Sequence, residues 1–369
     1  MTTDGAVHGT VVPGYERLRE VFAGLLAAGR ETGAALTVLR NGEPVAVLHG
    51  GWRDAARQHP WTDRTLVNVY SAGKPLIALA VLVLVDRGML SLDDPIARHW
   101  PQFAANGKGD TTVRHALTHT AGLPGFPVPR DASAFGDWDL LCADLAGAAP
   151  QWTPGTVAAE HALTYGHLLG ELVRRVDGRS PGRFVAEEIA RPWGLDLGFG
   201  LDTADRDRCA ELEYDHPDWP ARTLGTVGSV RERALRSPTG TRDLATVNGA
   251  AWRAAEVPAV NLHATATGLA RMYAGLLAGG VLDGHRLLDP ALASAAVSAQ
   301  HDGPDLMLEQ RVVWGFGVQV EDDGTWGMGG LGGNAGWADP ATGHAIGYVT
   351  RRLGDFDRVD ELDSALPGA

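Results

Sequence analysis

Ser71-Ala72-Gly73-Lys74 runs directly into Pro75-Leu76-Ile77-Ala78-Leu79-Ala80-Val81-Leu82-Val83-Leu84-Val85. The apolar run is about half of the roughly 20 residues that a membrane-spanning helix needs, so it reads as a buried core helix. Helical spacing places Lys74 about one turn from Ser71, with both side chains on one face. A serine hydroxyl is a weak nucleophile until a neighbouring base takes its proton, and a lysine desolvated beside an apolar helix can lose its own proton to serve. The helix start also offers backbone donors to a developing negative charge. Ser-x-x-Lys alone arises by chance, but Lys74 and Lys108 are the only lysines among 32 basic residues. Arginine cannot give up its proton, so a lysine kept beside a serine reads as a proton acceptor, with an ordinary surface charge as the bland alternative.

Outward from this segment, Tyr15 to Ala28 has helical periodicity, and Ala34–Arg40, Asn41-Gly42, Pro44–Gly50 reads as strand, tight turn, strand. Asn-Gly suits that turn because both central residues take positive φ. Near the far end Val313–Glu321 and Ala345–Arg351 have strand character, separated by a glycine-rich turn. Between roughly Val81 and Ala255 strand-like alternation is scarce and Ala, Leu and Arg are abundant. The expectation is an α+β fold. Residues 1–80 and 256–369 form an antiparallel sheet from both chain ends flanked by helices, residues 81–255 form an inserted, mostly helical lobe, and the active-site cleft lies between them. The tail after Asp355 is acidic and polar and is expected to fray.

At 369 residues the chain exceeds the roughly 250 at which a single core stops growing, which fits two packed lobes. A net charge of −13 with no stripe of Lys and Arg argues against a nucleic-acid partner. No membrane partner is expected. Met1 to Glu16 lacks the basic start and apolar run of a secretory signal, so the expected location is the cytoplasm. Cys142 and Cys209 lie far apart without metal-ligand spacing and read as reduced structural thiols.

Ser71–Lys74, Gly88-Met89-Leu90-Ser91-Leu92-Asp93-Asp94-Pro95, Arg114-His115-Ala116-Leu117-Thr118-His119-Thr120-Ala121-Gly122-Leu123 and Pro154-Gly155-Thr156 follow in that order. Together they resemble the serine β-lactamase and penicillin-binding-protein superfamily, and most of all class C β-lactamases and the carboxylesterases and transesterases that share their fold. Trp252–Pro258, Ala266–Gly280 and Trp326–Pro340 resemble the esterase branch. The resemblance implies that Ser71 attacks an ester or lactam carbonyl with help from Lys74, and that a tyrosine acts as general base. That tyrosine maps onto Glu160, in Glu160-His161-Ala162, so Glu160 or His161 is the candidate replacement. Tyr165, five residues along, is expected to face elsewhere. The third motif, usually Lys-Thr-Gly or a histidine-containing relative, maps onto Met328-Gly329-Gly330. A thioether donates no hydrogen bond and carries no charge, so it cannot anchor a substrate carboxylate. The Ser71 and Leu331 N–H groups remain the implied oxyanion hole.

These substitutions point away from penicillin hydrolysis. The function implied is a serine hydrolase or acyltransferase acting on an ester, thioester or amide through an acyl-enzyme on Ser71, specialised for biosynthesis. A non-acyl reaction in the same pocket (isomerisation, elimination or cyclisation) and a catalytically degenerate binding protein are the alternatives. The expected partners are a small-molecule substrate and, for transfer, an acyl acceptor or a carrier-protein thioester; no cofactor and no metal are called for. His115 and His119 stand four apart without the glutamate of a zinc helix and read as structural. Gly327-Met328-Gly329-Gly330-Leu331-Gly332 matches a dinucleotide pattern without its helix, so close backbone approach beside a cleft is the better reading. His167 and Glu171 read as a solvated face. Trp152 and Trp252 read as core, while Trp326 and Trp337 flank the glycine-rich turn as candidate pocket walls.

Overall fold

The computed structural model describes residues 6–368. A nine-stranded sheet draws β1 (His8–Val11), β2 (Gly33–Arg40) and β3 (Glu43–Gly51) from the N-terminal end. From the C-terminal end come β4 (His301–Asp305), β5 (Gln310–Trp314), β6 (Gln319–Val320), β7 (Trp326–Gly330), β8 (Asn334–Asp339) and β9 (His344–Thr350). Their order is β1-β3-β2-β9-β8-β7-β6-β5-β4, and every neighbouring pair is antiparallel. Asn41 and Gly42 take φ of 51° and 84°, which folds β2 back on β3. The two chain ends meet where Ala34–Arg40 pairs with Thr350–His344. The fold is thus the α+β architecture read from the sequence.

The helices that frame the site are α1 (Glu16–Ala27), α2 (Lys74–Asp86), α3 (Thr164–Asp177), α4 (Ala266–Leu277) and α5 (Asp357–Asp363). One face of the sheet packs Leu36, Val38, Leu48, Ile346 and Tyr348 against Leu18, Phe22 and Leu25 of α1 and Leu362 of α5. The other face joins α2, α3 and α4 in a core that runs from Ala35 to Leu353. α2 is unbroken from Lys74 to Asp86, so it crosses residues 80 and 81 and belongs to both expected lobes. Within 81–255 the strands are two-residue pieces, Leu197–Gly198 and Glu213–Tyr214. No helix among the described residues is long and apolar enough to cross a membrane.

Several local expectations need correction. Val313–Glu321 is not one strand: the chain turns between β5 and β6, with the Gly315 N–H on the Val318 carbonyl at 2.9 Å. The glycine-rich stretch beyond it is only partly a turn: Leu331–Gly333 turns, whereas Gly327, Gly329 and Gly330 occupy strand positions of the β7–β8 hairpin. The tail after Asp355 does not fray. It forms α5, whose Arg358 reaches the buried Glu31 carboxylate at 2.7 Å, while Thr350 Oγ1 at 2.7 Å and the Tyr348 hydroxyl donate to the same group. His167 and Glu171 are not solvated but 0% exposed. α3 is buried on nearly all sides, so Glu171 pairs with Arg174 and Arg175 of its own helix and His167 stacks on Trp138 at 4.6 Å. Both cysteines are free and buried.

Candidate active site

A single 3₁₀ turn, Tyr70–Gly73, leads into α2 and presents Ser71 to the cleft. Tyr70 takes φ of 50°, a left-handed conformation that costs a bulky residue of order 1–3 kcal/mol. Its phenol is tied to the Thr241 carbonyl at 3.1 Å, so the surrounding structure holds the turn. Lys74 is the first residue of α2, and its Nζ lies 2.6 Å from Ser71 Oγ and 2.9 Å from Glu160 Oε1. The carbonyls of Ala162 and Ala259, each at 3.2 Å, complete the surroundings of the amine. Lys74 is 0% and Glu160 5% exposed, so this is a charge pair inside the protein. Burial pushes the Lys74 ammonium below its usual range, and the Glu160 carboxylate pulls it back up. Glu160 Oε1 has no hydrogen bond of good geometry and meets Lys74 only as an ion pair.

The segment before α3 explains why Glu160 and not its neighbour meets the lysine. The Ala159 N–H is held by the His119 carbonyl and the His161 N–H by His119 Nδ1, each at 3.1 Å. The Ala162 N–H bonds the Glu160 carbonyl at 2.8 Å, so the chain turns tightly at His161. His161 therefore leaves the cleft, which corrects its candidacy: Nδ1 lies 2.8 Å from the Ala159 carbonyl and Nε2 accepts the Leu123 N–H at 3.2 Å. Burial also pushes its imidazole down to about 4, so it is neutral near pH 7. Tyr165 turns inward to the Leu117 carbonyl at 3.1 Å, and burial drives its phenol well above the ordinary range. His115 Nδ1 accepts the Thr112 N–H at 3.2 Å in a helix cap. Among the described residues no group of three His, Cys, Asp or Glu could hold a metal ion.

β7 closes the other side of Ser71. A Cβ on Gly330 would stand 2.0 Å from the Val69 carbonyl oxygen, so only glycine lets the strand lie on the turn that carries the serine. Met328 is buried against Ala158, Val312 and Trp314, and Gly329 and Leu331 line the cleft. Trp326 stacks on Tyr273 at 5.6 Å between ring centres, and the Trp337 indole donates to Asp363 at 2.8 Å; both line the cleft, while Trp152 and Trp252 do not. The cleft measures about 550 Å³. Its inner wall is apolar, from Leu163, Leu235, Val260, Met307 and Leu308. Its outer wall carries Glu321, Asp323, Asp360 and Asp363 against Arg231 as the basic residue. None of these four carboxylates has a basic partner among the described residues, and burial pushes Asp363 up against the lowering Trp337 hydrogen bond, with the charges of Asp360, Asp323 and Asp339 adding to the rise. Sequence reading missed this wall because residues 321–323 and 360–363 converge only through the sheet and α5; no local motif marks it.

The family described as Beta-lactamase matches residues 18–367. Among curated proteins, the esterase/beta-lactamase LipL of Mycobacterium tuberculosis is 35% identical over 361 residues, covering 94% of this chain and 83% of that protein. The esterase EstB of Burkholderia gladioli is 30% identical, covering 90% of this chain and 89% of that protein. Among solved structures, a family VIII carboxylesterase aligns with a TM-score of 0.89 at 32% identity, over 98% of both chains. A penicillin-binding protein homologue from Caulobacter crescentus aligns with a TM-score of 0.86 at 36% identity, over 98% of this chain and 100% of that one. With Ser71, Lys74 and β7 standing around one cleft in that fold, the chain belongs to the β-lactamase family.

Proposed function

We propose that this chain is a serine acyl hydrolase or acyltransferase in which the Lys74–Glu160 pair replaces a lysine–tyrosine pair as the proton shuttle. The observation that carries the reading is Lys74 Nζ at 2.6 Å from Ser71 Oγ and 2.9 Å from Glu160 Oε1, beside an open cleft. Burial disfavours the charged Lys74 ammonium, and Glu160 Oε1 at 2.9 Å lies within reach to take its proton. Passing a proton from Lys74 to Glu160 leaves a neutral amine. As Ser71 Oγ bonds to the substrate carbonyl carbon, that amine takes the hydroxyl proton, and the carbonyl π electrons move to an oxyanion facing the Ser71 and Leu331 N–H groups. Collapse expels the alcohol, thiol or amine, which leaves with the proton from Lys74. Water or another acceptor then repeats the steps on the acyl-enzyme.

The cleft's composition supports a substrate that carries no carboxylate. Met328 offers no anion anchor, and the outer wall sets four carboxylates without basic partners against the one guanidinium of Arg231. This favours an apolar acyl group with a neutral or cationic remainder and fits a biosynthetic role better than attack on penicillins. Matched aryl esters bearing a neutral, an ammonium or a carboxylate group at the same position test this. We expect kcat/KM for the carboxylate ester to be at least about tenfold below the other two, since like charges brought together in a cleft cost several kcal/mol, and the gap should narrow with added salt. Equal rates for all three esters contradict charge selection; undiminished turnover by Ser71→Ala contradicts the serine chemistry itself.

A further inference from the structure

We infer that Asp305 is a positioning residue for Glu160, fixing its main chain and the adjoining cleft wall through one carboxylate; this rests on the reading of Glu160 as the proton partner of Lys74. Asp305 ends β4 and is 1% exposed. Its Oδ1 receives the main-chain N–H of Glu160 at 3.1 Å, of Met307 at 2.9 Å and of Leu308 at 2.9 Å. Its Oδ2 receives the Trp314 indole N–H at 3.0 Å. The Leu306 N–H bonds the Ala158 carbonyl at 3.0 Å, so the strand end lies directly along the segment that carries Glu160.

The same arrangement reaches His119. The Trp314 ring packs on the His119 ring at 4.3 Å between centres, and His119 holds the two N–H groups on either side of Glu160. Three successive N–H groups, of Ala159, Glu160 and His161, are therefore claimed by buried groups, and the middle one by Asp305. A neutral acceptor would serve one or two donors, whereas a carboxylate collecting several makes charge-assisted bonds that offset its burial. That burial otherwise pushes the Asp305 carboxyl up, as does the nearby Glu160 charge. Met307 and Leu308 line the cleft beside Glu160. One side chain thus sets both the aim of Glu160 at Lys74 and the wall against which an acyl group rests.

A double-mutant cycle on the neutral aryl ester separates this role from plain support of the fold. Asp305→Ala should lower kcat about a hundredfold, the scale of a displaced reacting group. In a Glu160→Gln background the same substitution should cost less than about threefold, because the residue it acts through is already lost. Losses that multiply overturn the positioning role while leaving Glu160 in place. A Glu160→Gln enzyme with the original kcat overturns the Glu160 reading itself, a different and separately visible result. If Asp305→Ala does not fold, Asp305→Asn carries the cycle. It keeps an oxygen for the three main-chain donors and sets an amide N–H against Trp314, so we expect a loss of about tenfold that again disappears in the Glu160→Gln background.

Discussion

Lys74→Met lowers kcat toward the neutral ester about a thousandfold, within the range that positioned acid–base groups supply, while KM changes little. The amine touches Ser71 Oγ and Glu160 rather than the apolar wall, so it acts on the proton and not on substrate binding. Methionine fills similar volume without charge, and the folded state is checked by its melting curve. A loss shared equally between kcat and KM, or none, contradicts the role. The pH dependence carries a sign. Burial lowers Lys74 from its ordinary value of 10.5, and the Glu160 charge raises it again. Activity that needs the neutral amine therefore rises with pH through a midpoint below 10.5. Glu160→Gln removes the raising charge, so the residual activity should show its rising limb at lower pH than the wild type. A limb displaced to higher pH contradicts the pairing.

Arg358→Met destabilises the fold by about 3–5 kcal/mol, the cost of leaving one member of a buried pair alone. Glu31 is 0% exposed at its side chain and Arg358 4%, so neither charge can be rescued by solvent. Arg358 also donates to the carbonyls of Gly332 at 3.1 Å and Arg352 at 2.9 Å, joining α5 to the end of the β7–β8 hairpin. Because Phe356, Val359 and Asp360 of this region line the cleft, the outer wall should loosen with it. Equilibrium urea unfolding measures the effect. Adding Glu31→Gln should restore part of the loss by removing the stranded charge, and an Arg358→Met protein as stable as the wild type contradicts the account of how the C-terminal segment docks.

What could be read in the sequence follows from where the information is local. Asn41-Gly42 fixes a hairpin through its own dihedral preferences, and the apolar run after Lys74 admits little but a buried helix. Ser71 and Lys74 are neighbours by helical spacing, so their contact was legible without a fold. Glu160 entered through family resemblance, and sequence could not separate it from His161, since the choice depends on how the chain turns at His161. That is set by His119 and Asp305, which lie 41 residues before and 145 residues after Glu160 in the chain. β7 was misread because strand recognition relies on side-chain alternation, and this strand has glycines where Val69 and Phe356 come close. At His167 and Glu171 polar residue type misleads: Glu171 is satisfied inside by Trp138, Arg174 and Arg175, while the buried His167 ring is held by stacking on Trp138, with no hydrogen-bond partner among the described residues. The acidic wall needed the sheet to bring its two segments together.

The most direct measurement of the central claim is the intact mass of the protein, and of Ser71→Ala, quenched at successive times after mixing with the neutral aryl ester. A transient gain equal to the acyl group, absent in Ser71→Ala and decaying as product accumulates, is the predicted result. Turnover of the ester with no adduct at any time, or an adduct of the same size on Ser71→Ala, contradicts acyl chemistry on Ser71.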